Sequence, residues 1–293
     1  MRVAAVDIGT NTVRLLVREG DETIDRASRI TRLGEGVDAS GELGEEPMRR
    51  TLQATKEFVD RARAAGAEKI VVAGTSALRD ASNRSAFAGA VREDCGVELE
   101  ILDGSAEGRI AYAGATSGLP DGRYVVCDIG GGSTELITAA EAVSNDVGSV
   151  RVRERYLPGD PPAREDVARA RAEITPMIDG ARRKLGLGGS EQIVGVAGTI
   201  TTVAALDAGL REYDSDVVHG YALSAAAVEA WAERLNAMTV SAIRGLGPVN
   251  PGRADVIGAG ALVLACVVDA LDADALIASE RDILDGLVLR ALG

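Results

Sequence analysis

Short apolar segments separated by turn residues open the chain. The apolar runs at residues 3–8 and 13–17, followed by segment 23–30, predict three strands joined by tight turns, an antiparallel start to a sheet. Apolar positions at helical spacing then predict a helix over residues 45–65, which Gly66 ends. Alternating strands and helices are expected to follow. These further elements are a strand at 69–73, a helix at 83–94, a strand at 97–102 and a helix at 105–116.

The opening pattern repeats after the turn-rich segment 118–122. Three more short strands are predicted there, beginning at residue 124. The triplets Asp7-Ile8-Gly9 and Asp128-Ile129-Gly130 lie 121 residues apart, and each opens a similar set of strands. A repeat on this scale predicts two related halves that face each other.

The turn-rich segment is also the expected domain boundary. It gives an N-terminal domain at 1–118 and a C-terminal domain at 119–293, with packing of the last helix (about 282–293) back onto the first domain left open. The second domain is expected to contain strands at 124–129, 135–138, 142–147, 192–196 and 275–277, and helices at 164–185, after Gly198, at 225–238, 253–271 and 283–292.

Composition narrows the function classes. The net charge of −13 argues against a nucleic-acid binder, and 3% aromatic residues argue against a base-stacking platform. Three cysteines without CxxC spacing and a single histidine indicate a reduced, cytoplasmic protein whose metal, if any, is held by oxygen ligands. Asp7 comes too early for a signal peptide, and the apolar run at 257–268 is too short to span a bilayer.

Three glycine turns are the candidate ligand-binding feature, at Gly9, at Gly130–Gly132 and at Gly198. Successive backbone N–H groups in such turns bind anions, and neighbouring Ser or Thr hydroxyls add donors. Any one of them alone is equally typical of a hairpin. Three together, two of them preceded by Asp, indicate phosphate binding. The chain has neither a GxxxxGK[ST] nor a GxGxxG sequence, so a P-loop and a dinucleotide fold are both disfavoured.

Four carboxylates complete the candidate site. Asp7 and Asp128, at two strand ends, could hold Mg²⁺ directly or through water. Glu135 follows the second turn, and Glu107 begins a helix. With one histidine in the chain, a hydrolase here would use a carboxylate to activate water. For Glu107, stabilisation of the helix N-terminus is an equally good interpretation.

The segments at 7–12, 74–83, 104–109, 128–135 and 195–202 together resemble the exopolyphosphatase and guanosine pentaphosphate phosphohydrolase family of the actin-like superfamily. The resemblance runs from residue 2 to about residue 289, and segment 128–135 is its most specific part. It implies an α/β fold of two duplicated actin-like (ribonuclease H-like) domains facing an interdomain cleft. The length is similar to that of short two-domain members from actinobacteria.

The resemblance also implies roles for individual residues. Glu107 and Glu135 become the water-activating residues, and Asp7, Asp128 and Glu135 the metal ligands, for Mg²⁺ or alternatively Mn²⁺. The implied phosphate-binding residues are Gly9, Thr10, Asn11, Thr12, Arg79, Gly130, Gly131, Gly132, Ser133, Thr134, Gly198 and Thr199. Two positions depart from the family pattern: Ala106 replaces a carboxylate, and Leu284 replaces an arginine.

The function expected from these features is Mg²⁺-dependent hydrolysis of the terminal phosphate of inorganic polyphosphate, with short chains favoured by the acidic surface. The same chemistry on guanosine pentaphosphate or a nucleoside triphosphate such as ATP, with ADP as a further ligand, stays open. A kinase of the same superfamily and a non-enzymatic alarmone or nucleotide sensor are alternatives of other classes. The resemblance further implies a homodimer, and neither nucleic acid nor a membrane is expected as a partner.

Overall fold

The structure is a computed structural model that describes residues 1–293 apart from the side chain of Asp38. The chain divides into two compact units. The first consists of Met1–Gly114 together with Asp282–Gly293, and the second of Ala115–Arg281.

The first unit begins with three strands, as the apolar pattern predicts. Its elements in chain order are β1 (Arg2–Ile8), β2 (Thr12–Glu19), β3 (Glu22–Ile30), α1 (Val37–Ser40), α2 (Glu45–Ala64), β4 (Lys69–Gly74), α3 (Ser76–Asp80), α4 (Arg84–Cys95), β5 (Leu99–Ile101) and α5 (Gly104–Thr116), whose last residues belong to the second unit.

The second unit opens with three strands in the same way. Its elements are β6 (Tyr124–Ile129), β7 (Thr134–Ile137), β8 (Ala142–Asn145), α6 (Ser149–Tyr156), α7 (Arg164–Lys184), β9 (Gln192–Val196), α8 (Ala197–Asp207), α9 (Ser215–Val218), β10 (Ala222–Ser224), α10 (Ala225–Asn236), α11 (Val240–Arg244), a 3₁₀ turn (Pro251–Arg253), α12 (Ile257–Ala270) and β11 (Ala275–Ala278). The chain ends with α13 (Ile283–Leu292), which packs against β1, β2 and β4 of the first unit.

The two sheets share one topology. The first has the strand order β3-β2-β1-β4-β5, with β1, β2 and β3 antiparallel and β4 and β5 parallel to β1. In the second, the order β8-β7-β6-β9-β11 repeats this arrangement strand by strand, and β10 extends the edge antiparallel to β11. The prediction of two duplicated α/β domains is confirmed.

Each unit has its own apolar core. In the second unit α12 is apolar on all sides, because α6, α7, α8 and α10 pack around it. In the first unit α13 crosses α5 closely. A Cβ on Gly286 would collide with the carbonyl of Ile110, and one on Gly114 with the carbonyl of Asp282. Leu284 is 1% exposed within this packing, so this side chain belongs to the core of the first unit.

The sequence pattern failed at a few boundaries. The helix predicted over 253–271 begins only at Ile257, because the side chain of Asn250 accepts from the N–H of Gly252 and Pro251 starts a short 3₁₀ turn instead. The short helices α3 and α6 and the strand β10 were not predicted, since none is long enough to show a period. None of the described helices is both long and apolar enough to cross a membrane.

Candidate active site

The first two glycine turns have the same backbone geometry. In the β1–β2 turn, the N–H of Gly9 donates to the carbonyl of Thr12 at 3.0 Å. In the β6–β7 turn, the N–H of Gly130 donates to the carbonyl of Ser133, also at 3.0 Å. The two pairs are separated by the same 121 residues as the Asp-Ile-Gly triplets. Both predicted phosphate loops are thus equivalent hairpin turns at the end of the first strand of their sheet.

Neighbouring backbone fixes the first loop. The carbonyl of Asn11 accepts from the N–H groups of Thr31 and Arg32, at 2.9 and 3.0 Å. The carbonyl of Thr10 accepts from the N–H of Gly34 at 2.8 Å, and its hydroxyl lies 2.9 Å from that of Ser76. The carbonyls of Thr10 and Asn11 therefore accept hydrogen bonds from backbone groups of the same unit.

A helix start fixes the second loop. The N–H groups of Ser149 and Val150, the first residues of α6, donate to the carbonyls of Gly130 and Gly131 at 2.9 Å each. A Cβ on Gly148 would stand 2.5 Å from the carbonyl of Gly131, so only glycine allows this approach. Thr134, at the start of β7, is fully buried and its hydroxyl donates to the carbonyl of Val147.

The third turn joins β9 to α8. Ala197 has a φ of 67°, a left-handed conformation that is strained for a residue with a Cβ. The guanidinium of Arg253 lies against Gly198, in the space that a Cβ at that position would occupy. Thr199, the next residue of α8, packs against Gly260 and is 6% exposed. The structure therefore places a cation at a predicted phosphate loop.

In the second unit two carboxylates lie side by side. Asp128 and Glu135 are directly opposite in the β6–β7 ladder, so their side chains share one face of the sheet. Glu135 is 9% exposed, and its Oε1 accepts from the hydroxyl of Ser144 at 2.7 Å. Burial, and then the charges of Asp128 and Glu135, raise the pKa of the Cys127 thiol. Like charges opposite each other destabilise a sheet, and a bound cation would offset that cost.

The equivalent pair in the first unit is an ion pair. Asp7 lies opposite Arg14 in the β1–β2 ladder, and Oδ2 of Asp7 accepts from Nη2 and Nε of Arg14 at 2.6 and 3.0 Å. Arg14 also donates through Nη1 to Asp282. Burial raises the pKa of Asp7, the Arg14 guanidinium opposes this, and the charge of Asp282 adds to the rise. Oδ1 of Asp7 is buried and has no hydrogen-bond partner among the described residues.

Glu107 lies in the first turn of α5 and pairs with Arg79. Nη1 of Arg79 donates to Oε2 of Glu107 at 2.7 Å and to the carbonyl of Leu102 at 3.2 Å. The helix cap itself is provided by Asp103, whose Oδ1 accepts from the N–H of Ala106 at 2.7 Å. The capping hydrogen bond is thus made by another residue, and Glu107 holds an arginine instead.

Comparisons with known proteins identify the family of the chain. The Ppx/GppA phosphatase family matches residues 16–293. The chain belongs to that family. It is 36% identical to exopolyphosphatase 2 of Mycobacterium tuberculosis, over 100% of this chain and 99% of that protein. A crystal structure of an exopolyphosphatase-like protein is 35% identical with a TM-score of 0.92, each chain covered fully. The Aquifex aeolicus member of the Ppx/GppA family is 31% identical with a TM-score of 0.84, over 100% of this chain and 97% of that one.

The structure adds residues to the candidate site that the sequence did not identify. They are Arg14, Ser144, Arg253 and Asp282. The repeat offers a signal for the first: residue 14 lies 121 positions before Glu135, so the duplication aligns the two. The other three come from elements outside the recognised motifs, and only the fold brings Asp282 to Arg14, 268 positions away in sequence. Within neither unit do the described residues form a cluster of three or more His, Cys, Asp or Glu that could hold a metal.

Proposed function

We propose that this Ppx/GppA family member is an exopolyphosphatase, which hydrolyses the terminal phosphoanhydride bond of inorganic polyphosphate. The observation that carries the proposal is the carboxylate pair Asp128 and Glu135 at the end of a glycine-rich turn. Such a pair suits a metal-bound phosphate and a water molecule. The full-length similarity to a protein named exopolyphosphatase supports the choice of substrate.

The glycine turns bind the phosphate groups. The N–H groups of Gly9 and Gly130 are used within the turns, and the remaining backbone N–H groups of segments 9–12 and 130–134 form an anion-binding concavity in each unit. Asn11 and Ser133 add side-chain donors. At the third turn, Gly198 and Thr199 act together with the guanidinium of Arg253, which lies against Gly198.

Mg²⁺ fits the carboxylates of the site, and Mn²⁺ has the same preference for oxygen ligands. Asp128 and Glu135 are opposite each other, and Asp7 has a buried oxygen without a partner among the described residues. In phosphate-transfer sites Mg²⁺ is bound by one or two carboxylates together with substrate phosphates and water. When bound, the metal offsets the charge that develops on the transferred phosphoryl group.

Glu107 and Glu135 position and deprotonate the attacking water. Both are held by a donor, Arg79 for Glu107 and Ser144 for Glu135, so each carboxylate has one oriented oxygen. The single histidine, His219, accepts from the backbone N–H of Glu280 at 3.3 Å through Nδ1, which leaves the base role to the carboxylates. Arg79 exchanges its carboxylate partner for the terminal phosphate when substrate binds.

Short polyphosphate chains are the preferred substrate, because a net charge of −13 disfavours a long polyanion. Guanosine pentaphosphate, ATP and ADP share the phosphate groups that these loops bind, and they are the competing ligands to test. The working environment is the cytoplasm, in keeping with three free, buried cysteines, and the assembly is a homodimer.

Phosphate release in the presence of Mg²⁺ tests the proposal. Short polyphosphate, long polyphosphate, guanosine pentaphosphate and ATP are compared, each with and without a chelator, and E135Q is the inactive control. Chelator-sensitive release that is fastest from short polyphosphate is the expected result. Release mainly from a nucleotide would support hydrolysis at this site but would show that polyphosphate is not the preferred substrate. Tight binding of a nucleotide without turnover would favour a sensor.

A further inference from the structure

The ion pair at Asp7 extends to a third residue. We propose that Asp282, acting through Arg14, is a positioning residue that orients Asp7 and keeps its surroundings negative enough to bind a divalent cation. The inference rests on the proposed function, in which Asp7 is a metal ligand. It assigns a role in the site to the N-terminus of the last helix.

Arg14 is held from two sides. Its Nε and Nη2 donate to Oδ2 of Asp7, and its Nη1 donates to Oδ2 of Asp282. The guanidinium is planar and its donors are fixed in direction, so two carboxylates on different edges leave it one orientation. Oδ2 of Asp7 is then occupied by Arg14, and Oδ1 has no hydrogen-bond partner among the described residues. This arrangement lets Asp7 offer a single oxygen to a metal or its water.

Asp282 is itself immobile. It is the N-cap of α13, where its Oδ1 accepts from the N–H of Leu284 at 2.9 Å and its backbone N–H donates to Asp285 at 3.1 Å. The residue is 7% exposed. One oxygen of Asp282 therefore belongs to the helix cap and the other to Arg14, which ties the position of Arg14 to the helix.

The charge balance gives Asp282 a second effect. Asp7 and Arg14 alone would sum to zero, and a neutral pair attracts a cation weakly. The carboxylate of Asp282 makes the three residues net negative. The guanidinium of Arg26 lies 3.9 Å from Oδ1 of Asp282, but it pairs more closely with Asp285, at 3.1 Å. In the second unit Glu135 occupies the position equivalent to Arg14, so the pair Asp128 and Glu135 is negative without a third residue. A net negative charge at this position thus takes three residues in the first unit and two in the second.

The adjacent ionic cluster provides a matched control. Asp285 lies one turn further along α13 and is 4% exposed. It pairs with Arg18 at 2.9 Å and with Arg26 at 3.1 Å. Replacing Asp285 by Asn removes the same charge from the same helix end, and its amide oxygen can still accept from the N–H of Asp282. Replacing Asp282 by Asn keeps a good N-cap residue but removes both the charge and the acceptor that faces Arg14, because its one amide oxygen caps the helix.

The test is Mn²⁺ binding to the purified protein, followed by electron paramagnetic resonance, with inorganic phosphate present. The proteins compared are wild type, D282N, D285N, R14Q and the double variant R14Q/D282N. Unfolding temperatures are measured in parallel. We expect D282N to weaken Mn²⁺ binding by on the order of 10-fold, the size expected for one unit charge at short range. D285N should leave the binding constant within about twofold of wild type.

The double variant separates charge balance from structural damage. R14Q/D282N restores the net charge of the three residues, so its Mn²⁺ binding should recover part of the loss seen in D282N. The proposal would be overturned if the loss of Mn²⁺ binding in the double variant equalled the sum of the losses in R14Q and D282N. It would also be overturned if the losses of binding in D282N and D285N paralleled their losses in unfolding temperature, or if the wild type bound no Mn²⁺. A wild type that binds Mn²⁺ but releases no phosphate would contradict the proposed function alone, because this readout needs no turnover.

Discussion

Nη1 of Arg79 donates to Oε2 of Glu107 at 2.7 Å, so an arginine assigned to phosphate binding and a carboxylate assigned to water activation are direct partners. Both side chains belong to the first unit and are partly buried, with 27% and 16% of their surface exposed. The contact fixes the direction of one carboxylate oxygen of Glu107. A terminal phosphate competes for the same guanidinium, which couples substrate binding to release of the base.

Replacing Glu107 by Gln should remove most turnover. The amide keeps the shape of the side chain and can still accept from Arg79, but it cannot take a proton from water. We expect a loss of about 10²- to 10⁴-fold in kcat, with a nearly unchanged unfolding temperature. Steady-state phosphate release measures this. E93Q, an exposed glutamate on α4, is the matched control and should retain full activity. Retained turnover in E107Q would remove Glu107 from the mechanism.

Replacing Arg79 by Lys should act mainly on substrate binding. Lysine keeps the charge but lacks the planar guanidinium, which contacts Glu107 and the carbonyl of Leu102 here and would bind the terminal phosphate through two donors. We expect KM for polyphosphate to rise by about 10-fold, with a smaller fall in kcat. R92K on α4, where Arg92 is exposed and loosely paired with Glu98, is the control. An unchanged KM in R79K would place this arginine outside the phosphate site.

The second glycine loop depends on a close backbone approach. In G148A the new methyl group would stand 2.5 Å from the backbone of Gly131 and 2.6 Å from the N of Ser133, so the loop must move. We expect a loss of about 1–3 kcal/mol in unfolding free energy and a larger proportional loss of activity. G180A, in the middle of α7 with open space around it, should gain about 0.5–1 kcal/mol. Chemical denaturation of both variants measures these changes in unfolding free energy. An active G148A would show that the loop tolerates displacement.

The stability of the first unit should depend on pH through Asp285. Burial raises the pKa of this carboxyl, with the charge of Asp282 as a further cause, although Arg26 and Arg18 oppose the rise. A carboxyl whose folded pKa exceeds its unfolded value stabilises the protein fully below the unfolded value, and this contribution is lost as pH rises through the folded value. The D285N variant lacks this contribution. The difference in unfolding free energy should therefore move in favour of D285N as the pH rises above about 4, the ordinary pKa of an aspartate. A drift in the opposite direction would contradict the assigned pKa shift.

Much of the fold could be predicted because its signals are local. Strands β1, β2 and β6 are short apolar runs that end or begin at turns, and the Asp-Ile-Gly repeat revealed the duplication. The loops at Gly9 and Gly130 could be recognised for the same reason. The residues that contact the site residues could not be predicted from the sequence. Arg14 meets Asp282 only because α13 returns to the first sheet, and Arg253 reaches Gly198 from a 3₁₀ turn. Such contacts depend on tertiary packing, which periodicity does not encode.

The central claim is that the protein removes phosphate from the end of a polyphosphate chain by hydrolysis. The most direct measurement is phosphorus NMR of a short polyphosphate of defined length, incubated with the protein and Mg²⁺. The account predicts orthophosphate as the first product, together with chains shortened by one unit, and no product in E135Q or with chelator. Internal fragments without orthophosphate, or phosphate release that persists in E135Q, would contradict it.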